Sequence, residues 1–159
     1  MSKLTWKLQS KFVDEVQKGN VLFWDYASAT EEYAFGDGYH FFVVPEGSVF
    51  IDFMKLGTMW SRLTRMKILE GFHNMDFSAN VSLTFEQRVK DKGTLRKFEY
   101  LDKELFINEA YLKEFNFLKN PEEFAIGCDP DDGYKKPVMF ECDYFTAVIL
   151  PVRVGGQNG

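Results

Sequence analysis

The sequence predicts an α+β fold of two pseudo-repeated β-α-β-β-β units, with two helices on one face of antiparallel sheets. Three observations carry that expectation. The 159 residues are 45% hydrophobic, 27% charged and 17% aromatic, with 17 phenylalanines, a composition that suits a sheet-rich core. Residues 122–128, 137–141 and 144–154 are short runs rich in β-branched and aromatic residues. Asp129-Pro130-Asp131-Asp132-Gly133 and Glu141-Cys142-Asp143 separate them, which is the pattern of an antiparallel meander. Finally, one order of elements occurs twice: strand, helix and strands in residues 4–53, and again from 105 to the end.

In chain order, residues 4–8 read as a short strand. A helix follows over 9–18, with Phe12, Val13 and Val16 on its apolar face and Gly19-Asn20 as its stop. Residues 21–27 read as a strand with Val21, Phe23 and Asp25 on one face. Residues 32–44 form a second strand region interrupted at Gly36-Asp37-Gly38, and Pro45-Glu46-Gly47 is a turn before a strand over 49–53. Residues 55–76 are hard to read: Trp60, Leu63, Met66 and Ile68 fit a short helix or an extended crossover. Strands over 79–87 and 93–100 flank a turn at Lys90-Asp91-Lys92-Gly93, and 105–107 is a short strand. Asn108 caps a helix reaching about Leu118, with Tyr111, Leu112, Phe115 and Leu118 on one face, and Pro121 marks its end. The last strand closes on Leu150-Pro151-Val152-Arg153, where proline interrupts ladder pairing beside a fixed positive charge. One domain over residues 1–154 is expected, in halves of 1–54 and 77–154 joined by a linker at 55–76, with 155–159 as a flexible tail.

The net charge of −5 argues against indiscriminate nucleic-acid binding but leaves room for a local basic face. Lys3, Lys7, Lys11 and Lys18 dominate the first eighteen residues against Asp14 and Glu15, and Arg62, Arg65 and Lys67 make a second basic island. The C-terminal third is acidic. Taken alone, each cluster reads as solvated surface. No apolar run approaches the roughly 18 residues of a membrane span, and the N-terminus lacks the apolar core of a signal peptide. The expected location is cytoplasmic, where Cys128 and Cys142 stay reduced.

Phe106-Ile107-Asn108-Glu109-Ala110-Tyr111-Leu112-Lys113-Glu114-Phe115, then Pro137-Val138-Met139-Phe140, then Ala147-Val148-Ile149-Leu150-Pro151-Val152-Arg153 resemble the C-terminal domain of the bacterial DNA sliding clamp. Gly36-Asp37-Gly38-Tyr39-His40 is similar to a turn of the same family. The resemblance covers two-thirds of the chain, rests on the order of the motifs, and is weak over residues 55–92. It implies a DNA-clamp-like domain and a non-enzymatic role as a replication accessory or processivity-type factor. In that family, rings of six domains line a hole with helices and hold duplex DNA without reading bases. Carried over, it implies that Lys7, Lys11 and Lys18 of the first helix, and Lys113 and Lys119 of the second, face DNA. It also implies that Leu150, Pro151, Val152 and Arg153 form a pocket for a partner peptide from a polymerase-like or other replication protein. Bacterial clamp subunits carry three such domains and this chain one, so a ring requires self-association. A relative from a phage or mobile element that binds proteins without encircling DNA fits the length equally. A small ligand binder or enzyme that shares the fold by coincidence is a further alternative.

Motifs for bond chemistry are missing from the sequence. His40 and His73 stand apart, and neither cysteine belongs to a Cys-x-x-Cys pair. Asp129-Pro130-Asp131-Asp132-Gly133 departs from a calcium loop in its glycine position and its twelfth residue. Gly36-x-Gly38 lacks the third glycine of a dinucleotide fingerprint, and no Ser/His/Asp order stands out. An enzyme, a metal and a cofactor are not expected.

Overall fold

The computed structural model describes residues 2–90 and 93–154. Residues 91 and 92 of the expected turn and the tail 155–159 lie outside the described residues. Helices and strands mix in an α+β arrangement that divides into two compact units. The first takes the chain up to Met75 together with Asp143–Ala147; the second takes Asp76–Cys142 and the residues from Val148 onward.

The first unit opens on helix α1, Lys3–Gln17. Ser2 caps it by accepting the backbone N–H of Thr5 at 3.0 Å, and Thr5, Leu8, Gln9, Phe12 and Val16 bury one stripe at helical spacing. The strand expected over 4–8 is therefore helix. Its short alternation of apolar and polar residues loses to the longer period that Leu8, Phe12 and Val16 continue. The chain stops at Gly19, whose φ of +82° allows its N–H to reach the Val16 carbonyl at 3.0 Å and that of Asn20 to reach Glu15 at 3.3 Å. The first half is accordingly α-β-β-β rather than β-α-β-β-β.

Strands β1 (Leu22–Ala27), β2 (Glu32–Gly36) and β3 (His40–Pro45) form an antiparallel meander. Leu22 and Trp24 carry the apolar buried side of β1, and of the expected face of Val21, Phe23 and Asp25 only Asp25 is buried. The β2–β3 turn is held by Asp37 Oδ1, which accepts the N–H groups of Tyr39 at 2.7 Å and His40 at 2.9 Å. A side chain at Gly36 would collide with the His40 carbonyl.

Residues 49–53 do not form the expected strand. Gln9, fully buried, takes the ladder's place: its Nε2 donates to the Ser48 carbonyl at 2.8 Å and its Oε1 accepts the Phe50 N–H at 2.8 Å. Phe53 instead begins helix α2 (Phe53–Met59), capped by Asp52. The segment expected as a linker continues with β4 (Leu63–Arg65) and helix α3 (Leu69–His73). Strand β4 pairs with β1 in parallel, unlike the antiparallel pairing expected throughout, and gives the order β4-β1-β2-β3. Phe12, Trp24, Phe35 and Phe53 form an aromatic core, with Trp24 and Phe53 stacked at 5.4 Å.

In the second unit, the strand expected over 79–87 is two. Strand β5 (Ala79–Asn80) pairs with β9 (Ala125–Cys128), which pairs with β10 (Val138–Glu141). Strands β6 (Ser82–Lys90), β7 (Gly93–Tyr100) and β8 (Lys103–Asn108) make a separate antiparallel sheet, with a bulge in β6 where Phe85 has a φ of +66°. Asn108 caps helix α4, as expected, but the helix covers only Glu109–Glu114. Asn116 turns left-handed at φ +55°, and a 3₁₀ turn, Phe117–Lys119, follows. That break lets Phe115 and Phe117 both reach the core beside Phe98 and Phe140, which one continuous helix face would not allow. Strand β11 (Thr146–Ile149), whose first two residues belong to the first unit, is shorter than expected; beyond Pro151 the described residues keep one bridge, Val152 to Phe106. The order β8-α4-β9-β10-β11 follows the expected second repeat. No helix among the described residues is long and apolar enough to cross a membrane.

Candidate nucleic-acid interface

Lys3, Lys7 and Lys11, spaced by four along α1, and Lys18 at its C-cap build the most pronounced basic feature of the first unit. At about 100° per residue, Lys3, Lys7, Lys11 and Lys18 fall within an arc of about 80°, opposite the buried stripe. All four are exposed, with Asp14 the acidic residue among them and Lys18 Nζ 3.6 Å from Glu15. The expected Lys7, Lys11 and Lys18 thus share one ridge.

The second helix does not repeat it. Lys113 Nζ lies 3.0 Å from Glu109 Oε1, while Arg96 and Gln87 each donate to Glu109 Oε2 at 3.1 Å. The Lys113 hydrogen bond first, then Gln87 and Arg96, outweigh burial and hold the Glu109 carboxyl below its ordinary range. The Lys113 ammonium pairs with this cluster while its side chain stays 68% exposed. Lys119 lies in the 3₁₀ turn beyond the helix end, so the two residues do not share the helix face expected of them.

The terminal motif divides in two. Leu150 and Arg153 are exposed, but Pro151 is buried. Val152 donates its N–H to the Phe106 carbonyl at 2.8 Å and packs on Leu95, Phe106 and Val154. Half of the expected peptide pocket is therefore used in anchoring the chain end.

The sequence reading missed the aromatic surface beside α1. Trp6 and Phe50 are 52% and 40% exposed, with ring centroids 4.2 Å apart. Phe50 is fixed by Gln9 and borders two depressions of the first unit. One, of about 220 Å³, is lined by Val13, Lys55, Leu56 and Met59. The other, of about 440 Å³, has Trp24, Tyr26, Tyr33 and Phe53 in its wall and Met54 and Arg65 at its lining. Arg65 stands 5.1 Å over the Trp24 ring and donates to the Tyr26 carbonyl at 3.2 Å. Burial, followed by a hydrogen bond with Glu46, raises the Tyr26 phenol above its ordinary pKa. Trp6 precedes Lys7 in sequence, and Arg65 belongs to the basic island already noted; only burial could show that Trp6 and Phe50 stay at the surface while Trp24 beneath Arg65 is buried.

Chemically, this surface offers positive charge, aromatic faces and apolar depressions. No group of three or more His, Cys, Asp or Glu gathers to hold a metal among the described residues. No protein-family model, curated protein or solved structure matches the chain.

Proposed function

We infer that this chain is a non-enzymatic protein of DNA sliding-clamp type that associates with nucleic acid through α1, independently of base sequence, as a replication accessory. The observation that carries the reading is the lysine ridge opposite the buried stripe of α1, in a protein whose net charge is −5. A basic ridge on a rigid helix meets a phosphate backbone without reading bases, and an acidic remainder discourages wholesale adhesion. The recurrence of a helix followed by three strands, after Ser2 and again after Asn108, supports the clamp resemblance. Self-association into a ring and docking of a polymerase-like partner belong to the same proposal, as does an origin in a phage or mobile element.

The test is fluorescence anisotropy with labelled duplex DNA over a salt series, with solution mass measured alongside. Salt-sensitive binding that the Lys7→Glu, Lys11→Glu, Lys18→Glu triple variant loses supports the reading. A folded protein that binds neither duplex nor single-stranded DNA at low salt ends it. A second reading, partner capture by the terminal strand, draws on the exposure of Leu150 and Arg153 beside the anchored Pro151. Leu150→Ala and Arg153→Ala should then weaken partner binding without unfolding the chain.

A further inference from the structure

We propose that the first unit takes single-stranded nucleic acid in preference to duplex, with unpaired bases stacking on the Trp6–Phe50 pair. This rests on the α1 ridge being a phosphate-binding surface, and it names the ligand that the ridge serves. A duplex hides the faces of its bases, whereas a single strand presents them to aromatic side chains while lysines track its phosphates. The surface offers both elements side by side. Trp6 and Phe50 are exposed, 31° from coplanar and 4.2 Å apart between centroids. On α1, Trp6 lies between Lys3 and Lys7 in sequence, and its direction borders the lysine arc at about 60° from Lys3 at the helical increment.

Rigidity favours the same occupant. The Phe50 backbone N–H is held by the buried Gln9 amide and Trp6 stands on α1, so both rings spring from ordered backbone and less freedom is lost on binding. Phe50 also lines both of these depressions of the first unit. The larger depression, about 440 Å³, continues the track with the Tyr26 and Tyr33 rings, 4.6 Å apart, and with Arg65. The strand thus has cations at α1 and at Arg65 and aromatic faces between them. Charge complementarity selects a polyanion over an apolar partner, and the exposed ring faces select unpaired bases over a duplex. Asp14 and Asp52 beside the track are exposed to screening, while Glu46 hydrogen-bonds Tyr26 and Asp25 lies 3.6 Å from Arg65, offsetting part of its charge.

The experiment uses the full chain and two labelled probes, an oligodeoxythymidine of about 12 nucleotides, within the site sizes usual for such grooves, and a duplex of equal length. The expected result is tighter binding of the single strand with quenching of tryptophan emission. Trp6→Ala then lowers single-strand affinity about tenfold and leaves duplex affinity unchanged, while Trp6→Phe retains most of it. Near-ultraviolet circular dichroism verifies that both variants are folded. If the single strand and duplex bind equally and Trp6→Ala changes neither, the stacking proposal fails while the lysine ridge stands. If neither probe binds, the ridge reading falls and takes this proposal with it. Quenching of Trp6 by an acidic, leucine-rich peptide and not by the oligonucleotide overturns it in favour of a protein ligand.

Discussion

The Gln9 side-chain oxygen accepts the backbone N–H of Phe50 at 2.8 Å, forty-one residues along the chain. Its amide nitrogen donates to the Ser48 carbonyl at the same distance, so one side chain supplies both hydrogen bonds of a missing strand partner. Gln9→Leu leaves a part-buried donor and acceptor without their partner and should cost about 2–6 kcal/mol at most, from the penalty of roughly 1–3 kcal/mol for each such group. Urea unfolding checks this, with a lower midpoint at unchanged slope as the expected result.

The ridge and the Lys113 site should respond differently to charge removal. Every phosphate that a lysine no longer neutralises lowers the slope of log affinity against log salt by about 0.9. Replacing Lys7, Lys11 and Lys18 together should therefore flatten it by roughly 3. Lys113→Ala should leave the slope intact, since its ammonium is tied to Glu109 at 3.0 Å. Anisotropy titrations at several salt concentrations distinguish the two.

Glu109 makes stability depend on acid. Its pKa is depressed in the folded protein, so its contribution is complete above the unfolded value and disappears as pH falls through the folded one. Wild type should lose stability through the carboxylate range more steeply than Glu109→Gln. Denaturant unfolding at a series of pH values between neutral and acid measures the difference, which is largest at neutral pH.

Asp25 holds α3 to β1. Its Oδ2 accepts the N–H groups of Ile68 at 2.9 Å and Leu69 at 3.0 Å, and its Oδ1 accepts that of Tyr26 at 2.8 Å. Asp25→Ala should destabilise the chain by about 2 kcal/mol or more, since buried amides lose a charged acceptor. Faster hydrogen exchange at Ile68 and Leu69 than elsewhere in the first unit would localise the effect.

The two cysteines should react at different rates. Cys128 is buried, and its thiol is pushed up to about 11, by burial first and then by Asp129 and Asp76. Cys142 is half-buried, and neither is in a disulfide. Brief iodoacetamide treatment at neutral pH should add one label, at Cys142, with Cys128 labelled only in denaturant. Peptide mass spectrometry reads the sites.

Elements with a strong local signal were legible in the sequence. Gly36-Asp37-Gly38 marks the β2–β3 turn because aspartate satisfies the turn amides and glycine admits the close approach of the His40 carbonyl. Asn108 marks the start of α4 for the same kind of reason. The errors arose where a distant partner decided. Val49-Phe50-Ile51 has strand propensity, but its hydrogen bonds go to Gln9, whose burial no hydrophobic pattern discloses. The helix through Leu118 failed at Asn116, because filling the core with Phe115 and Phe117 together outweighed helical continuity. Of the site, the lysine spacing was readable. The aromatic surface was not, because a Trp or Phe in sequence promises burial, and only the folded chain shows that Trp6 and Phe50 stay outside.

The first unit draws one of its rings from the far end of the chain: Phe145 is buried and meets Phe42 edge-on at 6.1 Å. On a translating ribosome, Phe42 emerges roughly 5–20 s before Phe145 at ordinary elongation rates. The N-terminal portion must therefore wait with an apolar surface uncovered, and its final closure is set by synthesis of the C-terminus. A nascent chain arrested before Tyr144 should engage chaperones and be cut readily by protease, whereas one released after Val154 should resist both.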